Sequence, residues 1–390
     1  MINIAAVGSA HNTHTVAGPV PRWDYWLLGA TLALLALGIV MVYSASVSIA
    51  SRAGNSGFFL SRQALGVLAG VLAMTLVAHS ALRLWERAGP YLLFLSIALL
   101  VMVLLPGVGV NVNNSTRWVS LGFVNLQPSE FVKVFVVIYV AGYLVRRQDR
   151  LGSFSGGVTT MGMVVAAIGM LLLQEPDYGA FVVILVTVLT MLFLGGVRFW
   201  HFMLVVSAAA GGMLLLALIA PYRLARVTGF LDPWADPFNS GFQLTQALIA
   251  FGRGEWLGVG LGASVQKLFY LPAAHTDFVF AVLAEELGLA GVLVVMLLFA
   301  TVVWRAFRIA RQAERVGELY GARLCQGLGV LLGLQALINM GVNMGVLPTK
   351  GLTLPLVSYG GSSVVASCIA IGLLLMVDRQ TRRRRSGDRT

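Results

Sequence analysis

Three carboxylates in one apolar stretch are the residues best placed to do chemistry. Asp277 opens the run HTDFVFAVLAEELGLAG, and Glu285 and Glu286 lie inside it. An ionisable group in such a run is expensive to bury, so each one needs a partner or a function. Asp277 either caps the start of a helix, which aspartate does well, or serves in proton transfer. The residues alone leave both interpretations open.

The two glutamates lie deeper in the same predicted helix. Glu285 follows Asp277 by eight residues, which is about 12 Å along a helix and roughly 80° around it. Glu286 points to the opposite side. Adjacent glutamates that face different ways in an apolar helix require at least one internal partner or a water-filled cavity.

A second group of charged residues lies at the start of another apolar run. Glu130 and Lys133 share one helix face at i, i+3. They form either a structural ion pair or a site whose ammonium faces an anionic headgroup. Arg117 and Trp118 precede them, and suit either an interfacial anchor or a guanidinium for phosphate beside an indole for a sugar face.

The segment 347–363, LPTKGLTLPLVSYGGSS, is too apolar to lie freely in water, yet proline and glycine interrupt it. It carries Lys350 and Ser358. Non-helical backbone at membrane depth is tolerated where it lines a cavity, so we expect this segment to line one. The five histidines are scattered, and no His/Cys cluster has metal-ligand spacing.

The elements that position these residues must be membrane helices. Of the 390 residues, 58% are hydrophobic and 11% are charged, and the mean hydropathy is +0.85. A soluble domain is about 45–50% apolar and about 25% charged. The composition therefore excludes a soluble globular protein and predicts an all-α integral membrane protein.

About ten spans are predicted, and they form one membrane domain between two terminal tails. We expect a cytoplasmic tail at 1–22, a membrane domain at 23–378 with a large outer loop at 221–276 between spans 7 and 8, and an arginine-rich tail at 379–390. Within the loop, Phe242–Phe251 predicts an amphipathic helix along the membrane interface. The spans lie near 25–43, 64–79, 91–107, 130–145, 157–174, 179–196, 200–220, 277–304, 324–345 and 358–377, the second and third being short for a full crossing.

The basic residues set the orientation. With both termini in the cytoplasm, 18 of the 27 Lys and Arg residues lie inside and nine lie outside or at the outer boundary. That bias follows the positive-inside rule. It also accounts for the net charge of +11 without nucleic acid as a partner. The carboxylates that surface ion pairs do not explain collect on the outer side.

These motifs together resemble one known family. The chain is similar from residue 24 to about 378 to the SEDS (shape, elongation, division and sporulation) family of peptidoglycan polymerases. PTKGLTLP is closer to its division-type than to its rod-type members. Two departures are Ala273, where the family often has glutamate, and Glu175, where it often has glutamine. The matching motifs are TRW at 116–118, QPSEFVK at 127–133, EPDYG at 175–179, HTDFVFAVLAEELGLAG at 275–291 and GVLPTKGLTLPLVSYGGSS at 345–363.

The resemblance implies an inverting glycosyltransferase that polymerises lipid II at the outer face of the cytoplasmic membrane during division. Asp277 is then the catalytic residue, as general base on the acceptor hydroxyl. Residues expected to bind substrate or pyrophosphate are Lys133, Arg117, Glu130, Arg223, Lys350, Trp118 and Ser358. Supporting residues are Glu285, Glu286, Asp177, Gln127 and His275.

The resemblance also implies partners. A class B penicillin-binding protein would supply the transpeptidase in trans, alongside other division proteins and membrane lipids at the septum. The one cofactor considered is a divalent cation, Mg²⁺ or Mn²⁺, which the acidic surplus outside permits. Two other functions stay open: a lipid II flippase, against which the outward asymmetry of the charges argues, and a non-catalytic division scaffold.

Overall fold

Long apolar helices make up most of the molecule. The computed structural model describes residues 23–386 except 53, 113–114, 121, 123–124, 220–228, 240 and 349–350. The helices are α1 (Tyr25–Arg52), α2 (Phe58–His79), α3 (Leu82–Leu104), α4 (Pro128–Arg146), α5 (Thr160–Gln174), α6 (Tyr178–Leu194), α7 (Phe199–Ile219), α8 (Phe242–Gly254), α9 (Val279–Arg315), α10 (Leu319–Asn343) and α11 (Gly361–Arg385). A 3-10 turn (Gln148–Arg150) and a π-helical turn (Phe154–Thr159) precede α5.

The prediction of a mostly helical, multi-pass membrane protein is confirmed. Within the described residues, eight helices are long and apolar enough to cross a bilayer, and α6 and the part of α7 at Phe199–Ala208 are shorter apolar segments. Each of the ten predicted spans overlaps one of these helices, and the count of ten crossings stays a prediction. Residues 1–22 and 387–390 lie outside the described residues, so the predicted tails stay predictions there.

The second and third spans are longer than the sequence predicted. Helix α2 has 22 residues and α3 has 23, enough to cross. The hydropathy windows stopped at polar residues that the helices include, among them Gln63 and Glu86. Gln63 is buried and donates to the backbone oxygen of Ser358 at 3.4 Å, so its polarity does not end α2.

A small sheet departs from the all-helical prediction. Between α3 and α4 the chain forms β1 (Gly109–Val112), β2 (Ser115–Ser120) and β3 (Asn125–Leu126), antiparallel in the order β1-β2-β3. Pairing these strands satisfies backbone groups that would otherwise be left open at the end of the bundle. The sheet carries Arg117 and Trp118 on β2.

Helix α8 is present as predicted, but its apolar face covers protein. Leu244, Ala247 and Ala250 are buried, and the Phe251 ring lies 5.8 Å from that of Phe280 on α9. A position of this helix along the membrane interface stays a prediction. The amphipathic pattern arises because α8 packs on α9.

The most buried of the membrane helices are α4, α10 and α11, which form the centre of the bundle. Helices α2, α3, α5 and α9 leave more of their surface open, as expected for helices that face lipid. The polar residues around Asp277 lie at one end of this centre. Rigid, buried helices therefore hold the site.

Candidate active site

Asp277 lies two residues before α9 and is partly exposed. The N-cap of α9 is Phe278, and no side chain caps it. No described residue donates a hydrogen bond to the carboxylate of Asp277. The interpretation of Asp277 as a helix cap is therefore wrong, and no residue that the structure describes holds its carboxylate.

The backbone of Asp277 is held firmly although its side chain is open. The side-chain amides of Asn339 and Asn343 donate to its carbonyl oxygen at 2.9 and 3.0 Å. Both asparagines lie on α10. Neither was predicted from the sequence, although two amides spaced i, i+4 inside an apolar span could have indicated them.

Among the residues that the structure describes, three charges act on Asp277. Burial is the largest influence and raises the pKa of its carboxyl to about 6. The positive charge of Arg117 lowers that pKa, and the negative charges of Asp177 and Glu130 raise it. At neutral pH the carboxyl is mostly ionised, with a pKa suited to a general base.

Arg117 is anchored on the connection between α5 and α6. Its guanidinium donates to the backbone oxygens of Glu175, at 3.3 Å, and of Pro176. It also lies 3.8 Å from a carboxylate oxygen of Asp177. A quarter of the side chain is exposed, so part of the cation can meet an anionic ligand. Its neighbour Trp118 is partly buried on the same strand.

Asp177 joins three elements at this end of the bundle. Its carboxylate caps α6 by accepting from the backbone N–H of Ala180 at 3.3 Å. It also accepts from the Ser129 hydroxyl at 2.8 Å and the Gln127 amide at 3.4 Å. Gln127 and Asp177 therefore fix α4 to α6, which supports their assignment as supporting residues.

Glu175 is the unusual member of this group. Its carboxyl is fully buried and neither oxygen has a hydrogen-bond partner. Burial, reinforced by the nearby charge of Asp177, raises its pKa to about 8, against a smaller opposing effect of Arg117. Glu175 is therefore neutral at pH 7. Where the SEDS resemblance led us to expect glutamine, the chain carries a side chain that behaves as an uncharged one.

Lys133 and Glu130 form a buried ion pair on α4. The ammonium of Lys133 donates to Glu130 and to the amide oxygen of Gln335, both at 2.8 Å. Only 2% of the Lys133 side chain is exposed. The structural interpretation of this pair fits the geometry, because the cation already has two partners. A direct contact of Lys133 with an anionic headgroup stays a prediction.

The segment between α10 and α11 closes over Asp277. A Cβ atom at Gly351 would lie 2.9 Å from a carboxylate oxygen of Asp277, so only glycine leaves that side open. Ser358 is buried and its hydroxyl accepts from the backbone N–H of Leu354 at 2.8 Å. In this arrangement Ser358 shapes the turn. Lys350 and Arg223 lie outside the described residues.

His275 belongs to an aromatic cluster beside the site. Its ring lies 4.8 Å from that of Phe59 and 5.5 Å from that of Tyr359. Burial lowers the pKa of His275. Because Tyr359 also donates its backbone N–H to the His275 carbonyl at 3.0 Å, the cluster fixes the 344–360 segment against the residues that precede α9.

Glu285 and Glu286 lie away from the Asp277 carboxylate and hold the outer loop. Glu285 pairs with Arg253 at 3.0 Å, and Glu286 pairs with Lys267 at 2.8 Å. Glu286 also accepts from the Ser44 hydroxyl on α1. The predicted internal partners are therefore present, and both glutamates are structural supports of the loop.

The described residues contain no group of three or more His, Cys, Asp or Glu side chains able to hold a metal ion. The divalent cation considered from the sequence, Mg²⁺ or Mn²⁺, stays a prediction.

Comparisons with known proteins agree with this architecture. The family model FtsW/RodA/SpoVE, described as cell cycle protein, matches residues 25–383. The probable peptidoglycan glycosyltransferase FtsW of Nitrosococcus halophilus is 57% identical over 94% of this chain and 95% of that protein. The protein of the same name from Thioalkalivibrio sulfidiphilus is 55% identical over 92% and 90%.

Solved structures give the same result. A chain from a peptidoglycan synthase complex, studied for coordination of polymerization and crosslinking, aligns with a TM-score of 0.76 and 30% identity over 92% of this chain and 98% of that one. The rod shape determining protein RodA of Thermus thermophilus aligns with a TM-score of 0.66 and 27% identity, over 92% and 97%. The chain belongs to the FtsW/RodA/SpoVE family, the SEDS family that its motifs resembled.

Proposed function

We propose that this multi-pass membrane protein is an inverting peptidoglycan glycosyltransferase that polymerises lipid II on the outer face of the cytoplasmic membrane during cell division. The names of its FtsW relatives support the activity. The structural match to a chain of a peptidoglycan synthase complex supports it as well.

One observation carries the mechanism: Asp277 presents a carboxylate that no described residue engages, at the polar end of the buried bundle. Its pKa of about 6 leaves it ionised at neutral pH and still basic enough to accept a proton. Asn339 and Asn343 fix its backbone, so the carboxylate has a defined position.

The reaction follows from that position. The Asp277 carboxylate accepts the proton of the 4-hydroxyl on the GlcNAc of the acceptor. The hydroxyl oxygen forms a bond to C1 of the donor MurNAc, from the face opposite the leaving group. The bond from C1 to the pyrophosphate oxygen breaks, and undecaprenyl pyrophosphate leaves with the electron pair. Configuration at C1 is inverted.

The leaving group already carries negative charge, so it needs a cation more than a proton. Arg117 is the best placed of the described candidates because part of its guanidinium is exposed. Lys133 contributes through Glu130 and Gln335 as a fixed buried charge. Lys350 and Arg223 complete the set of cations we propose for the pyrophosphate, with Trp118 against a sugar face.

The proposal includes partners. A class B penicillin-binding protein crosslinks the new strand, as the match to a synthase complex that couples polymerization and crosslinking supports. Other division proteins recruit the pair to the septum. A divalent cation, if it is required, binds with the substrate pyrophosphate, and chelation with EDTA during the assay tests that requirement.

The test compares wild type with Asp277→Asn in detergent, with the transpeptidase partner, labelled lipid II and Mg²⁺. Wild type produces long glycan ladders on a gel, and the variant loses about 10²–10⁴-fold in rate, the usual contribution of a general base. Asp232→Asn, in an exposed turn of the outer loop, is the matched control.

Three other outcomes contradict the proposal. Equal ladders from wild type and Asp277→Asn would remove Asp277 from the chemistry. No polymer from either protein, with transfer of lipid II across liposome bilayers by wild type, would favour the flippase. Neither activity in vitro, with Asp277→Asn and Lys133→Ala both supporting division in cells, would favour the scaffold.

A further inference from the structure

Three buried amide side chains line one face of α10. Gln335, Asn339 and Asn343 follow one another at i, i+4 and i+8, and at most 3% of each is exposed. This spacing places them in a row about 12 Å long. Buried amides require hydrogen-bond partners. We call this row the amide ladder. Asn343 donates to the Asn339 carbonyl in the same helix at 2.9 Å, the side-chain oxygen of Asn339 has no partner among the described residues, and the other partners belong to the site.

The outer end of the ladder holds the residues that begin α9. Asn343 donates its amide to the Asp277 carbonyl at 3.0 Å, and Asn339 donates to the same oxygen at 2.9 Å. The side-chain oxygen of Asn343 accepts from the backbone N–H of Ala281 at 3.1 Å. That N–H lies in the first turn of α9, where a capping side chain usually binds it, and it also donates to the carbonyl of Phe278 at 3.0 Å.

The rest of the ladder holds the other wall of the site. Asn339 also donates to the carbonyl of Leu352 at 2.5 Å, and Gln335 donates to that of Thr353 at 3.2 Å. The amide oxygen of Gln335 accepts from Lys133. One helix face therefore fixes Asp277, the 351–353 backbone and the buried ammonium relative to one another.

We propose that Gln335, Asn339 and Asn343 are positioning residues, and that Asn343 caps α9 so that the carboxylate of Asp277 stays free for the reaction. This inference rests on the proposed role of Asp277 as the base. The side chain of Asn343 performs the task that an aspartate before a helix would otherwise perform itself.

The chemistry of amides fits this role. The carbonyls of Asp277, Leu352 and Thr353 belong to non-helical backbone within the bundle and need donors. A lysine or arginine would supply donors, but it would also pair with the Asp277 carboxylate. Amides satisfy the carbonyls without adding a further charge to those of Arg117, Asp177 and Glu130, which act on Asp277.

The kinetic test uses Asn343→Ala and Asn339→Ala. We expect kcat to fall about 10–100-fold, because a displacement near 1 Å at a reacting group costs about that much. KM for lipid II stays unchanged, since the substrate contacts are intact. Gln326→Ala is the matched control: it removes an amide from the same helix, at its other end, where Gln326 accepts from Arg323.

A second measurement does not depend on activity. In Asn343→Ala the N–H of Ala281 loses its side-chain acceptor and keeps only the carbonyl of Phe278, at 3.0 Å. We expect the Asp277 carboxylate then to swing onto this N–H as a helix cap. A hydrogen bond to the charged form lowers a carboxyl pKa. Infrared difference titration, with Asp277→Asn as the spectral blank, should show the Asp277 pKa falling from about 6 toward the ordinary aspartate range. Asn339→Ala, which keeps the Ala281 contact, should shift it less.

The outcomes separate the two proposals. Unchanged kcat and an unchanged Asp277 titration in folded Asn343→Ala would overturn the positioning role while wild type still polymerises. A lower kcat in both asparagine variants, with an equal loss in Gln326→Ala, would mean that the amide ladder affects activity only through the general stability of the protein. If wild type makes no polymer, the proposed function fails, and the infrared shift alone decides whether Asn343 holds the carboxylate free.

Discussion

The charged residues described around Asp277 form an electrostatic unit with it, and each shifts the pKa of its carboxyl in a definite direction. Arg117 favours the ionised carboxyl, whereas Asp177 and Glu130 oppose it. A general base acts only when deprotonated, so kcat/KM must fall as pH drops through its pKa. The acidic limb of the pH profile therefore reports on this unit directly.

Charge removal on either side of Asp277 should move that limb in opposite directions. In wild type we expect the limb near pH 6. Arg117→Gln removes the charge that lowers the pKa, so the limb should move up by about 0.5–1 pH unit. Asp177→Asn removes a charge that raises it, so the limb should move down. Polymerisation rates at limiting lipid II from pH 4.5 to 8 measure both shifts.

The control is Arg62→Gln, which removes an arginine whose guanidinium stacks on Phe58 in the outer half of α2 and should leave the limb in place. Shifts of the same sign for Arg117→Gln and Asp177→Asn would mean that general disruption, and not charge, moved the profile. Asparagine preserves the capping ability at 177, so α6 should keep its start.

The charged residues of this site were predicted from the sequence, but their neutral partners were not. Asp277, Glu130 and Lys133 were visible because a charge in an apolar run is costly wherever the helix points. Asn339 and Asn343 carry no charge and lie in an otherwise ordinary span. Their i, i+4 spacing inside an apolar span is visible in the sequence, but their contact with the Asp277 carbonyl joins α10 to the residues before α9, and local sequence does not encode that contact.

At the scale of elements, the break in α9 connects the outer loop to the bundle. Gly288 has φ 65°, ψ −165°, inside a helix of 37 residues. The loop at 255–260 fills the gap: Val259 and Gly260 donate to the carbonyls of Glu285 and Glu286, at 3.0 and 3.1 Å. Leu289 and Ala290 donate back to Glu255 and Trp256. Backbone groups freed at membrane depth are thereby satisfied.

Gly288→Ala should destabilise the protein strongly. The positive φ is strained for alanine, and its Cβ would overlap the backbone of Gly258. We expect a loss of about 2–4 kcal/mol, which appears as a clearly lower Tm or as poor recovery of folded protein. Thermal unfolding in detergent, followed by intrinsic fluorescence, measures it.

Gly162→Ala in α5 provides the comparison, because a Cβ there meets nothing within 4 Å. It should keep the wild-type Tm or raise it slightly, since alanine favours helix. Equal Tm values for Gly288→Ala and wild type would show that α9 can straighten without cost and that the loop contacts do not stabilise the fold.

Helices that depend only on the local sequence could be predicted. Apolar periodicity and length located the eight helices that are long enough to span, the two shorter apolar ones, and the helix predicted at Phe242–Phe251, which extends to Gly254. The break at Gly288 was not predicted, because Gly288 requires the loop residue Gly258 as a neighbour. The sheet was not predicted either, because β1, β2 and β3 pair with one another only at the end of the bundle, where α3 and α4 bring them together.

At the scale of the whole molecule, the site lies where alternate connections meet. Arg117 follows α3, Asp177 follows α5, Asp277 precedes α9 and Gly351 follows α10. Connections that alternate along a chain of spanning helices emerge on one side of the membrane. The arginine bias assigns that side to the outside, where a polymerase would meet flipped lipid II.

That orientation can be measured by cysteine labelling, because the native cysteines are inaccessible to the reagent. Cys325 and Cys368 are fully buried and should not react with a membrane-impermeant maleimide. Ser56→Cys, in the exposed turn between α1 and α2, should label on intact spheroplasts. Ser386→Cys, at the exposed end of α11, should label only after permeabilisation. The reverse pattern would place the Asp277 site in the cytoplasm, where the same carboxylate could not act on outward-facing lipid II, and the polymerase proposal would fall with the topology.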